Sequence, residues 1–254
     1  MRGDSVRFKL TPHQYILRNI KGQDWLCGDL HGQYEALQRA LTEVGFNSTL
    51  DRLFLLGDVI DRGPKSRELL NWVLSTDYVH CLMGNHELVF AASSFNVRYR
   101  DKHRAIGGEW VDHIDFSEYR KLTTQCVQKL PLTITLACQN GSLGLVHAQS
   151  PADNWKDVQH AVSTDRFAID CTWPWNRAQG SDQAIAGVTA VVSGHIGTAK
   201  VIQKGNRVNK KFYYSSSLPV LRLRSIPTRS TVTPLMTKRS PSEEPGSSGS
   251  LSSL

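Results

Sequence analysis

No apolar run in this chain reaches the roughly 18 residues that a membrane-spanning helix needs, so a spanning helix is excluded. The N-terminal stretch MRGDSVRFKLTPHQYIL has no continuous hydrophobic core either, and the expectation is a chain without a secretion signal. The five cysteines, at 27, 81, 126, 138 and 171, include no CxxC pair, and their odd number cannot pair completely. Cys27, Cys81 and Cys138 sit inside apolar runs, where cysteine behaves as a small hydrophobe. Together these absences point to a reduced, cytoplasmic protein with no disulfide framework. There is no internal repeat and no nucleic-acid-binding module. The net charge of +7 does not replace one: residues 200–254 hold ten Lys/Arg against two Glu, which leaves residues 1–199 at −1. A basic C-terminal fifth is a solvated surface or tail, so neither nucleic acid nor membrane is an expected partner, and a monomer is expected.

With 254 residues, 40% of them hydrophobic, the chain can bury one sizeable core, and the spacing of its apolar residues predicts an α/β domain. Strand-like runs at 24–27, 52–56 and 78–83 alternate with helical patterns at 33–44 and 66–74. This βαβαβ order implies parallel strands with crossover helices. Residues 93–130 are polar and helical, with a break at Gly107-Gly108. The runs 132–137 and 143–146 flank Asn140-Gly141, a hairpin signal. Further β-rich stretches at 189–193, 200–202, 212–214 and 220–223 predict an antiparallel second sheet packed on the first. Residues 241–254 contain six serines, two prolines and two glycines, a composition with too little apolar content to order itself. The expected organisation is one domain over 1–225 and a flexible Ser/Pro/Gly-rich tail over 226–254.

Each of the three early strands ends in glycine followed at once by an oxygen-bearing side chain: Gly28-Asp29, Gly57-Asp58 and Gly84-Asn85. The carboxyl ends of strands in an open α/β sheet form the ligand crevice, so these side chains converge on one edge. His31 and His86 come from the same loops, while His147 and His195 close two later strands. One Gly-Asp alone is a turn, and one histidine at a strand end is ordinary. Five such endings in register are not. Two carboxylates, an amide oxygen and three or four imidazoles form a mixed N/O donor set suited to Mn, Fe or Zn rather than Ca or Mg. They suffice for two ions bridged by a carboxylate, an arrangement used in phosphate-ester hydrolysis.

GDLHG (28–32), GDVIDRG (57–63) and GNHE (84–87), with VHA (146–148) and GH (194–195), resemble in order and spacing the phosphoprotein phosphatase family of metallophosphoesterases. GGEW (107–110) and WNR (175–177) are similar to the short bacterial and bacteriophage serine/threonine phosphatases typified by the phage lambda enzyme. The resemblance spans about residues 15 to 225 and implies a two-layered β-sheet sandwich flanked by helices, with a dinuclear metal site at the strand ends. It implies that Asp29 and His31 hold one divalent ion, that Asp58 bridges, and that Asn85, His147 and His195 complete the second. His86 is then the acid for the leaving alkoxide, oriented by Asp61, while Arg62, Arg177 and Asn85 contact the phosphoryl group. Mn2+ is the expected metal, with Fe or Zn compatible. The implied activity is hydrolysis of phosphoserine and phosphothreonine proteins, with phosphotyrosine as a further class, by direct attack of a hydroxide bridging the ions.

Several segments depart from the family pattern without losing a proposed ligand. His147-Ala148-Gln149-Ser150-Pro151 stands where relatives read HADYP, Gly194-His195-Ile196-Gly197 replaces GHTP, and Ser215-Ser216-Ser217-Leu218 replaces DTGA. Two other readings compete. Symmetrical dinucleoside-tetraphosphate hydrolases resemble the first motif, but that group lacks the Asp of DRG and ends the third motif in Asp, so Asp61 and Glu87 argue against it. An inactive phosphate-binding module needs neither the full ligand set nor the Asp61–His86 pair.

Overall fold

The structure is a computed structural model, and it describes residues 9–174, 183–196, 202–209 and 220–223. Two β-sheets face each other, flanked by helices. The first holds β2 (Asp24–Cys27), β3 (Arg52–Leu55) and β4 (Val79–Cys81), all parallel, linked through α1 (Tyr34–Glu43) and α2 (Ser66–Ser75). A short last strand, β10 (Leu221–Leu223), runs antiparallel along the free edge of β2. The second sheet has the order β1 (His13–Ile16), β5 (Thr133–Cys138), β6 (Gly141–Val146), β7 (Ala190–Ser193), β9 (Arg207–Asn209), β8 (Ile202–Lys204).

The alternation of side chains along each strand builds two cores. Trp25, Cys27, Leu53, Leu55, Val79 and Cys81 join Leu37, Leu41, Leu69, Leu70 and Val73 of the helices. The residues between them, Leu26 and Phe54, followed by Leu56 and Leu82 beyond the strand ends, turn the other way. They meet Ile134, Leu136, Leu143, Leu145 and Val192 of the second sheet. Burying side chains of this size is worth about 1.5–3 kcal/mol each, which holds the sheets face to face.

Four features differ from the sequence expectation. The second sheet is mixed, with β5–β6 and β8–β9 antiparallel and β1–β5, β6–β7 and β7–β9 parallel. The stretch 220–223 belongs to the first sheet, because β2 had an unpaired edge. β1 was not foreseen; it pairs parallel to β5 and buries only Ile16, too little for an alternation signal. Two helices, α6 (Trp155–Gln159) and α7 (Asp165–Thr172), were also missed, and Trp155 fills the space over Gly144. The predicted strand at 212–214, the Ser215–Ser217 departure and the 225/226 boundary with its tail lie outside the described residues. The insert after β4 forms α3 (Asn85–Ser93), α4 (Val97–Ala105), a 3-10 turn (Glu109–His113) and α5 (Phe116–Lys129). All five cysteines are free. Among the described residues no helix is long and apolar enough to cross a membrane.

His80 of β4 stacks on Phe54, with ring centroids 5.0 Å apart. Burial, reinforced by the charge of Arg52, lowers its pKa to about 4. The unfolded chain, with an ordinary imidazole near pH 6.5, therefore binds more protons between pH 6.5 and 4, and folding stability falls as pH drops through that window. His80→Phe keeps the stack and removes the titration. Urea unfolding at pH 7 and pH 4 should show the variant gaining about 1–3 kcal/mol on the parent at the lower pH. Parallel losses would contradict this assignment.

Candidate metal centre and active site

The carboxyl ends of β2, β3, β4, β6 and β7 meet along one edge of the sandwich, and every strand-end residue named above lies there. Among the described residues, the non-glycine residues with positive φ are His31, Asp58, Asp61, Arg62 and His195, at 44°, 51°, 71°, 67° and 63°. All five belong to this edge. Each such conformation costs on the order of 1–3 kcal/mol and persists only where its surroundings impose it. The loops do so. Leu30 and His31 donate their amides to Asp58 O (3.0 and 2.9 Å), and Gly32 donates to Val59 O at 2.7 Å. Gly57 (φ 93°) must be glycine, since a Cβ there would lie 2.7 Å from Gly84 N and 2.9 Å from His147 Nδ1.

Glu87 fastens the second loop to the third. Its Oε2 accepts the amides of Asp58 (2.8 Å) and Gly84 (2.9 Å), and its Oε1 those of Val59 (2.8 Å) and Ile60 (3.2 Å). The side chain is fully buried. Burial and then the charge of Asp58 push its pKa up to about 7, while the backbone donors favour the ionised form.

Four lone-pair groups converge beyond this clamp. His147 donates Nδ1–H to Leu56 O at 2.6 Å, which leaves Nε2 pointing inward as an acceptor. Asn85 Oδ1 lies 3.1 Å from that Nε2, 3.0 Å from His195 Nδ1 and 3.2 Å from Asp58 Oδ2. Turned over, the amide would donate to the same atoms; with its oxygen inward, acceptors face acceptors, which is the chemistry of a cation site. Burial opposes charge on His147, yet Asp58 raises its pKa to about 9, so a cation must compete with a proton for Nε2. Asp58 is held well below the usual carboxylate range: burial opposes this, but His147 and His86 outweigh it.

His31 donates Nδ1–H to Ile60 O at 3.1 Å and likewise turns Nε2 inward. Among the described residues, two groups have potential ligating atoms within 4.8 Å of one another, His31–Asp58–His86 and Asp58–His147–His195. They share Asp58. Asp29 belongs to neither; its Oδ1 accepts the His195 amide at 3.1 Å. The Arg62 guanidinium spans the first group, with N–H groups 3.0 Å from His31 Nε2 and from His86 Nε2. His86 Nδ1 is 2.7 Å from Asp61 Oδ2. Burial pulls the His86 pKa down, but Asp58 and Asp61 outweigh it and the net shift is upward.

The structure thus brings together Asp29, His31, Asp58, Asp61, Arg62, Asn85, His86, His147 and His195. Arg177 lies outside the described residues. Sequence reasoning gave Glu87 no role beyond telling two subfamilies apart, and it overlooked His103. The Glu87 role could have been read from its place three residues after the glycine that caps α3. His103 has no such signal.

The family model for calcineurin-like phosphoesterases matches residues 25–198. The chain belongs to the calcineurin-like phosphoesterase family. Serine/threonine-protein phosphatase 2 of Escherichia coli (strain K12) is 29% identical over 199 residues, covering 76% of this chain and 85% of that protein. The symmetrical bis(5'-nucleosyl)-tetraphosphatase of Pasteurella multocida (strain Pm70) is 42% identical over only 86 residues, 32% of this chain and 31% of that one. A protein serine/threonine phosphatase of Saccharomyces cerevisiae shares the fold, with TM-score 0.57 at 18% identity over 84% of this chain and 76% of that one. A metallophosphoesterase of this family uses a dinuclear divalent site, and the inward lone pairs of His31, Asp58, Asn85, His147 and His195 fit such a pair of cations.

The clamp in this metallophosphoesterase is open to test. Glu87→Gln preserves shape but turns an amide donor toward backbone donors, leaving buried N–H groups unsatisfied at about 1–3 kcal/mol each. The urea midpoint should fall by an amount equivalent to about 2–4 kcal/mol, and bound divalent metal should drop with it. An unchanged midpoint and full metal occupancy would contradict the role given to Glu87.

Proposed function

We propose that this metallophosphoesterase is a phosphomonoesterase that removes phosphate from serine and threonine side chains of proteins. The observation that carries this reading is the buried pair Asp61–His86, at 2.7 Å, beside the Arg62 guanidinium. A serine alkoxide is a strongly basic leaving group and departs only with a proton. A nucleoside diphosphate, the leaving group from a dinucleoside tetraphosphate, is a far weaker base and needs that help much less. An imidazole held by a buried carboxylate is therefore matched to the alkoxide. The longer of the two relationships, over 76% of the chain, is also to a protein named as a serine/threonine phosphatase.

In this reading Asp29 and His31 serve one ion, Asn85, His147 and His195 the other, and Asp58 both. Bound there, divalent cations supply positive charge to the phosphoryl oxygens and lower the pKa of water. Mn2+, Fe and Zn all suit the donors. Arg62 presents a planar fork that matches two phosphoryl oxygens, and Arg177 is assigned to the same clamp on its WNR motif. His86 gives its Nε2 proton to the leaving oxygen. Asp61 keeps Nδ1–H occupied, fixes the tautomer and stabilises the charged imidazole.

Parent and His86→Asn should be compared on a phosphoserine peptide, p-nitrophenyl phosphate and diadenosine tetraphosphate, with Mn2+ and with chelator. Chelator should abolish turnover. The parent should show its highest kcat/KM on the peptide. His86→Asn should lose about 10²–10³ in kcat there and much less on p-nitrophenyl phosphate, whose leaving group is a stable anion. Faster hydrolysis of the tetraphosphate by the parent would overturn the substrate assignment, and equal losses on both esters would overturn the acid.

A further inference from the structure

We infer that His103 is a positioning residue for the general acid, acting through Asp61; this rests on the reading of His86 just given. Helix α4 is charged along its length, and His103 is its one buried side chain. It is sealed from solvent, with Nε2 2.9 Å from Asp61 Oδ1. Trp110 donates its indole N–H to the same oxygen at 2.8 Å, while Oδ2 faces His86. A carboxylate with a single partner can rotate about its last bond and present either oxygen at varying angles. Two N–H donors on Oδ1 remove that freedom and hold Oδ2 on Nδ1 of His86.

The other half of the imidazole shows why a histidine is present. His103 Nδ1 is buried and has no hydrogen-bond partner among the described residues. An apolar ring would pack against Phe90, now 5.2 Å away between centroids, without that cost. The bond to Asp61 is what the imidazole adds. The Gly107-Gly108 break accommodates it: a Cβ on Gly108 would lie 2.5 Å from both His103 ring nitrogens. Gly108 N–H donates to His103 O at 3.0 Å, and Arg62 N–H donates to Gly107 O at 3.0 Å. The same turn therefore seats the acid's support and the phosphate clamp.

The test compares metal-loaded parent, His103→Phe, His103→Gln, Trp110→Phe and His86→Asn on a phosphoserine peptide and p-nitrophenyl phosphate. His103→Phe should lower kcat about tenfold on the peptide and less than threefold on the aryl ester, with KM and metal content unchanged. His103→Gln, which restores an N–H near the Nε2 position, should recover most of the loss. If His103→Phe does not fold, Trp110→Phe removes the other donor and should show the same selectivity. Equal losses on both substrates, or no advantage of Gln over Phe, would overturn the role of His103. Selectivity in His86→Asn without it in either donor variant would remove this inference alone. Its absence in His86→Asn would remove the acid and this inference together.

Discussion

A single buried carboxylate, that of Glu87, sets the geometry on which the rest of the site depends. It binds four backbone amides, three from the loop after β3 and one from the residue that caps α3. Those bonds hold Asp58 in a left-handed conformation that its own backbone disfavours. Asp58 in turn lies in both candidate ligating groups and raises the pKa of His86, Glu87 and His147 beside it. A buried carboxylate that meets only amide dipoles is costly to ionise unless every lone pair is used, and here each oxygen receives two donors.

Outward from the clamp, the site is organised by acceptors turned inward. Backbone carbonyls of Leu56 and Ile60 take the Nδ1–H groups of His147 and His31 and so choose which imidazole nitrogen faces the cleft. Asp61 works differently. Its side-chain partners are donors, His86, His103 and Trp110, and in the proposed reaction its charge serves a proton rather than a metal. One edge of the sandwich therefore holds two kinds of electrostatics within a few residues of chain: acceptors turned inward, and donors gathered on one carboxylate.

Much of this edge was legible in the sequence because Gly-Asp, Gly-Asn and Gly-His recur where apolar runs end, and strand order turns those ends into one line. The candidate ligand residues followed from that local pattern and from the family resemblance. The supports were harder to read. Glu87 acts through backbone amides of another loop, and His103 reaches Asp61 across 42 positions of sequence from a helix that looks wholly solvated. β1 and β10 are short strands whose pairing depends on an edge left open elsewhere, which no local periodicity reports. The parallel β6–β7 pair was hidden for the same reason: its direction is fixed by the long connection through α6 and α7, not by the strands themselves.

The most direct test of the central claim, a shared carboxylate between two cation sites, is electron paramagnetic resonance during Mn2+ titration of the metal-depleted protein. The account predicts two ions per chain at saturation and an exchange-coupled signal from a bridged pair. Saturation at one ion, or two ions with independent single-ion signals, would contradict it.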